Sequence, residues 1–387
     1  MENINPRTNL KLYGLDHLRA LAILLVLGFH YQLQFSHPSW TGWFMEIGWT
    51  GVDLFFVLSG FLISSQLFAQ IKKGSGISLK TFFIKRVFRI LPIYFFIVGI
   101  YFLFPYFREK EALPPLWKFL TFTQNFGLEI KHFGTFSHAW SLCVEEHFYL
   151  LLPLILIFLT SKNLFVKSYW ILIALLVFGI VFRIYIWSIY YPSNSDIDSS
   201  LPYWTEHIYY PTYNRLDGLL VGVAIAAIYQ FSPKLWDKIS KFGNQIIILS
   251  IALLTVVYFS FADLGTYSTS IWGFPLISIA YGFLVLGAIS PSSFLYNWNS
   301  RITTLIAALS YAIYLSHKGI IHIVQELFTK LGIEKNSNLM FLVCIIVCVV
   351  VAWLLNLTIE KPFMKMRDRI LRREKPTAIK SIAASRP

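Results

Sequence analysis

Charge is what this sequence has least of. Only 14% of its 387 residues are Asp, Glu, Lys or Arg, where an ordinary soluble domain carries roughly 25%. With 56% hydrophobic residues and a mean hydropathy of +0.60, that deficit excludes a disordered chain and argues against a soluble enzyme. Cysteine is scarce as well. Cys143, Cys344 and Cys348 are the only three, too few for a disulfide framework. Cys344 and Cys348 stand four apart in an apolar run and read as packing residues. There is no Gly-rich phosphate loop, no Cys/His set at zinc spacing and no Gly-x-Ser-x-Gly elbow, so no metal is expected. Low-complexity segments and a convincing internal repeat are also missing, which weakens an inverted-repeat transporter.

What is there is apolar bulk, with 35 Phe residues. Apolar runs bounded by polar clusters predict an all-α, polytopic bundle of about ten membrane spans. They fall near 14–36, 48–70, 88–106, 142–160, 168–190, 213–231, 245–262, 270–290, 302–328 and 338–358. Arg7 and Lys11 precede the first span but no small-residue cleavage site follows it, so it is expected to stay as an anchor. The net charge of +13 has a topological reading. With the N-terminus inside, 23 Lys and Arg lie in cytoplasmic segments, 6 in outer loops and four (Arg19, Arg183, Arg215, Lys318) within spans. That bias places both termini in the cytoplasm and removes the need for a nucleic-acid partner. Two outer loops, about 107–140 and 191–212, are the expected walls of an outward-facing site. The second has no Lys or Arg. Residues 1–363 form the expected membrane domain. Residues 364–387 form a short basic tail, expected to lie along the anionic inner leaflet of the plasma (inner) membrane.

Charges inside spans are costly and mark chemistry first. Arg19 and His30 are eleven residues apart on the first span. That puts them roughly 16 Å apart along the axis and about 20° from one common face. Arg19 sits toward the cytoplasm and His30 toward the outside, as a long thin ligand would need. Snorkelling of Arg19 and an interfacial His30 would give the same spacing. Asp53 begins the second span at the expected depth of His30. It would orient the imidazole or simply favour a helix start. Ser59 and Gly60 offer a small-residue surface for close packing. Arg86 and Arg89 share a helix face and form a fork suited to phosphates, or else anchor the cytoplasmic end. Glu145, Glu146 and His147 open the fourth span from outside. Adjacent side chains diverge by about 100°, so one glutamate is expected to face inward, where it would hold or share a proton with His30. Arg215 and Asp217 form a local ion pair or line an acceptor site. Tyr311 and Tyr314 share a face with Lys318 and line the site or join an interhelical hydrogen-bond network.

A phosphate-bearing donor inside and a hydroxyl acceptor outside would explain both clusters. Coenzyme A ends in phosphates and extends a pantetheine arm of comparable length. If Arg19, Arg86 and Arg89 hold the phosphates, the thioester reaches toward His30, which would act as general base on the acceptor hydroxyl.

The motifs in order are Leu15-Asp16-x-Leu18-Arg19-Ala20 with His30 eleven residues after Arg19; Gly51-Val52-Asp53-Leu54-Phe55-Phe56-x-Leu58-Ser59-Gly60-Phe61; Arg86-x2-Arg89 followed by Pro92; and Ser141-Leu142-x-Val144-Glu145-Glu146-x-Phe148-Tyr149. Arg215-Leu216-Asp217, Ser310-Tyr311-x2-Tyr314-Leu315-x-His317 and Glu360-Lys361-Pro362-Phe363 follow. From about Leu15 to Phe363 the chain resembles the membrane-bound acyltransferase 3 family, O-acyltransferases of cell-surface polysaccharides. The resemblance implies ten spans, an acyl-CoA donor (acetyl-CoA being the expected one) and a hydroxyl acceptor on a surface glycan or lipid-linked sugar. It implies that His30 is the catalytic base and Arg19 part of the donor site, and its pattern favours Glu145 over Glu146. Asp53 is the further expected catalytic residue, and Arg86 and Arg89 complete the expected donor site. Glu146, Arg215, Asp217, Tyr311 and Tyr314 are the expected substrate contacts. His147 stands where Gln is frequent, and Ser316 where an aromatic is common. Many relatives carry a fused C-terminal hydrolase-like domain. Its absence here suggests that the chain finishes the transfer alone or hands the acyl group to a separate partner protein. The competing class is a multi-span exporter of a sugar or acyl compound.

Overall fold

The computed structural model describes residues 12–165, 168–190, 197–261 and 263–383. Among these there is no strand. Ten apolar helices follow one another: α1 (Tyr13–Gln34), α2 (Gly51–Lys72), α3 (Leu79–Leu103), α4 (Trp140–Ser161), α5 (Tyr169–Tyr190), α6 (Asp217–Phe231), α7 (Gly243–Phe261), α8 (Phe274–Ala288), α9 (Arg301–Lys330) and α10 (Asn338–Leu355). A basic helix, α11 (Lys361–Ala383), continues from α10 through a π-helical turn at Asn356–Glu360. Each apolar run of the sequence becomes one of α1 to α10. Several starts are written in serine. The hydroxyls of Ser78, Ser300 and Ser337 accept the amides of Thr81, Thr303 and Met340 at the heads of α3, α9 and α10, satisfying donors that the first turn leaves free.

Eight of the ten are long and apolar enough to cross a membrane, α8 together with the π-helical turn Thr269–Gly273 that leads into it. The other two fall short for different reasons. α1 is diluted by Asp16, His17, Arg19 and His30. α6 has only 15 residues, a rise of roughly 22 Å against a hydrocarbon core of about 30 Å. Both are nevertheless interior. α1 packs on α9, α2 and α8, and α6 lies between α2 and α8. A helix enclosed by other helices need not be apolar all round, because its polar side chains face protein. α9 is the most buried of the eight and α5 the least.

Glycine sets the close crossing of α2 and α6. A Cβ on Gly60 would stand 2.2 Å from the Leu219 carbonyl oxygen, and one on Gly222 2.4 Å from that of Val57. The small surface expected at Ser59-Gly60 is therefore where α2 and α6 touch backbone to backbone. The loop between α3 and α4 is the first of the two expected on the outer side. It ends at Phe136, which is buried and left-handed at φ 55°, then passes through a 3-10 turn at Ser137–Ala139 into α4. Asn125 ties this loop to the second outer loop by donating to Thr212 Oγ1 at 2.9 Å and to the Tyr210 carbonyl at 3.1 Å.

Candidate functional site

A cavity of about 120 Å³ lies between α1, α2, α3, α4 and α9. Arg19, Arg86 and Arg89 line it, and so do Glu145, Glu146, Tyr311 and Tyr314. The sequence placed Arg19 with the Arg86–Arg89 fork, and the bundle brings the three together. Arg89 is held by Glu360 at 3.2 Å, and Glu360 in turn accepts from Asn356 Nδ2 at 2.9 Å. Arg86 donates to Gln66 Oε1 at 3.3 Å and lies over the rings of Phe82 and Tyr149. Among the described residues, neither Arg19 nor Arg86 forms an ion pair. Two guanidinium groups without a carboxylate partner, set in a cavity wall, suit an incoming anion.

The glutamates differ from expectation in two ways. Both line this cavity, although adjacent helical positions diverge. The cavity is wide enough to take both directions. And Glu145 sits with the arginines, not with His30. It accepts from Ser59 Oγ at 3.0 Å and from Tyr149 Oη at 2.9 Å. The tyrosines bond across helices. Tyr311 Oη donates to the Ile90 carbonyl at 3.1 Å. Tyr314 Oη joins Ser141 Oγ at 2.6 Å and the His138 carbonyl.

Tyr314 is the wall between this cavity and a second cluster. Behind it stand three buried imidazoles, His30, His138 and His317. Their ring centroids are 4.9 to 5.6 Å apart, and the Tyr314 ring is 5.5 Å from that of His138. His317 Nδ1 faces the carbonyls of Tyr314 at 2.9 Å and Ile313 at 3.1 Å, so it must be the donor. In the neutral ring Nε2 then accepts, and its partner at 3.1 Å is His30 Nδ1. The proton of neutral His30 is thereby fixed on Nδ1, and Nε2 carries the lone pair. This orienting partner is an imidazole, where the sequence suggested a carboxylate. Among the described residues, no group of His, Cys, Asp or Glu has the arrangement of a metal site.

Asp53 is committed elsewhere. It accepts from Arg215 Nη2 at 2.9 Å, and no bond joins it to His30 among the described residues. The Arg215 guanidinium lies 3.8 Å from the Phe274 ring centroid and 4.7 Å from that of Tyr209. Asp217 pairs with Arg183 through contacts of 2.7 and 3.1 Å. The local Arg215–Asp217 pair is thus replaced by two cross-helix pairs, because side chains two apart on this stretch point away from each other. None of Asp53, Arg183, Arg215 and Asp217 lines the arginine cavity.

Two residues were not picked out by spacing. His138 lies in the outer loop, and His317 was only one letter of a motif. His317 follows Tyr314 by three residues on one helix face, a signal that pointed to it. His138 gave none. Lys318, next to His317, is fully buried and pairs with Glu109 of the outer loop at 2.9 Å. Glu109 Oε1 also accepts the Phe136 amide at 3.0 Å. Burial pushes the Glu109 carboxyl up, but the ammonium beside it prevails and holds it below its ordinary value.

A family model described as an acyltransferase domain, of the acyltransferase 3 type, matches residues 12–357. The chain belongs to this family. Among its relatives is the peptidoglycan O-acetyltransferase OatA of Listeria monocytogenes. It is 28% identical over 336 residues, with 80% of this chain and 49% of the relative covered. The O-acetyltransferase OatA of Staphylococcus aureus is 27% identical over 336 residues, covering 82% and 52%. The chain spans about half the length of the curated relatives it matches. No solved structure matches it. The matched residues include every side chain of the arginine cavity and of the histidine cluster. Only Glu360, behind Arg89, lies beyond the match.

Proposed function

We propose that this protein is an integral membrane O-acetyltransferase of the bacterial cell envelope. In this reading it takes an acetyl group from acetyl-CoA on the cytoplasmic side and delivers it to a hydroxyl of a carbohydrate or lipid-linked sugar outside. Both termini are cytoplasmic, residues 1–363 are the membrane domain, and the basic tail lies on the inner leaflet. The observation that carries the reading is the pairing of an arginine-lined cavity with an imidazole cluster across one tyrosine.

Arg19, Arg86 and Arg89 bind the phosphates of the donor. Arg89 is 35% exposed and marks the open end. In this reading the nucleotide stays at the mouth, against the arginines, while the pantetheine extends inward. His30 is the general base. With its proton held on Nδ1 by His317, Nε2 takes the proton of the acceptor hydroxyl as oxygen attacks the thioester carbon. Glu145 and Glu146 orient the arginines and the arm. Tyr311 and Tyr314 line the passage. Asp53, Arg215 and Asp217 act through the packing of α2, α5 and α6.

The test is thermal unfolding of the detergent-purified chain with and without acetyl-CoA. Ligand at a hundredfold over its Kd stabilises the native state by about 2.7 kcal/mol. A saturable rise in midpoint that is lost in Arg19→Ala is the expected result. No rise with acetyl-CoA or longer acyl-CoAs at millimolar concentration would overturn the donor assignment.

A further inference from the structure

His138 is 2% exposed, and among the described residues neither of its ring nitrogens has a hydrogen-bond partner. The Leu315 backbone is near enough to act on the ring electrostatically, but neither ring nitrogen reaches it in hydrogen-bond geometry. A buried polar atom without a partner is costly, and an imidazole has two. His30 and His317, its neighbours, are both bonded. The ring is also held deliberately. Phe136 packs against it edge-on at 4.9 Å. The backbone that presents it is pinned from three sides. Tyr314 Oη bonds its carbonyl, Glu109 holds the strained Phe136 two residues earlier, and Lys318 Nζ reaches Ser137 Oγ at 3.4 Å. A fixed, unsatisfied N–H beside the base is what a site for developing negative charge requires.

We propose that His138 contacts the acyl group during transfer, donating a ring N–H to its carbonyl oxygen. The proposal rests on the reading of His30 as base. The acceptor oxygen attacks the thioester carbonyl carbon while its proton passes to His30 Nε2. The carbonyl electron pair moves onto oxygen, which His138 bonds. Collapse restores the carbonyl and breaks the carbon–sulfur bond. The proton on His30 goes to the departing sulfur, leaving an ester, a free thiol and both imidazoles as they began.

Inverted membrane vesicles from cells expressing the full chain, fed radiolabelled acetyl-CoA over a range of concentrations, give the rate of base-labile ester formation on their own envelope carbohydrate. His138→Ala is expected to lower kcat about a hundredfold and to leave KM for acetyl-CoA within about threefold. His138→Asn and His138→Gln place an N–H at the reach of Nδ1 and Nε2, and one of them should recover at least about tenfold. The thermal response to acetyl-CoA should be unchanged in all three. An alanine variant within about threefold of the parent kcat would overturn the proposal. So would Asn and Gln variants no faster than alanine while acetyl-CoA still stabilises them. His30→Ala is run alongside. If it keeps full activity, the base assignment fails whatever His138 does. If the parent forms no ester, both fail.

Discussion

Lys318 and Glu109 are each nearly sealed from water, with side-chain exposures of 0% and 1%, and among the described residues each has only the other as an ion-pair partner. Such a pair adds little net stability compared with apolar packing, but breaking it is costly because a buried charge is left alone. Glu109→Gln should therefore destabilise the chain by about 3 kcal/mol, read as a fall in thermal midpoint. The sign of the pH dependence follows from the depressed folded value. The contribution is present above the ordinary carboxyl value of 4.5 and is lost as pH falls through the lower folded value. The parent should lose stability over that acidic interval, and Glu109→Gln should lack that component. Equal acid sensitivity in the two proteins would count against the pair. At this scale the sequence was half legible. Lys318 stood out as a charge in an apolar helix. Its partner, 209 residues earlier in an outer loop, carried no mark, since pairing across a fold leaves no local pattern. Asp53 and Asp217 failed for the same reason. Asp53 was read against His30 and Asp217 against Arg215, and each found its partner elsewhere in the fold, Arg215 and Arg183.

At the scale of the element, periodicity and small residues carried more. All ten apolar runs became helices, since run length and flanking polar clusters are local properties. What they did not convey was which helices lie inside. α1 is diluted by polar residues and α6 is short, and only packing reveals that both lie among other helices. Gly60 and Gly222 permit the enclosure of α6. Gly60→Ala puts a methyl within 2.2 Å of the Leu219 carbonyl oxygen, and backbone cannot yield as a side chain can. The expected cost is about 1–3 kcal/mol. Activity should fall further than stability, because Ser59 beside it holds Glu145. Gly99 is the control. A Cβ there meets nothing within 4 Å, so Gly99→Ala in α3 should be neutral or stabilising by up to about 1 kcal/mol. Thermal unfolding of both variants decides it. If Gly60→Ala melts with Gly99→Ala, the α2–α6 contact is not what fixes this part of the bundle.

For the whole molecule the decisive property is sidedness, because an arginine cavity serves acyl-CoA only from the compartment that contains it. The asymmetry of 23 Lys and Arg against 6 is the physical reason to orient the chain, since cationic loops stay on the cytoplasmic side. The chain's own cysteines are all buried, which leaves the surface free for introduced ones. Ser75 lies exposed in the turn between α2 and α3, and Lys131 lies exposed in the first outer loop. A membrane-impermeant maleimide applied to intact cells should label Lys131→Cys and spare Ser75→Cys, with both labelled after permeabilisation. The reverse pattern would turn the open end of the arginine cavity outward, away from acyl-CoA. The donor reading would then fail even if every contact in the cavity is right, and an outward-facing anion site would be the function left to explain.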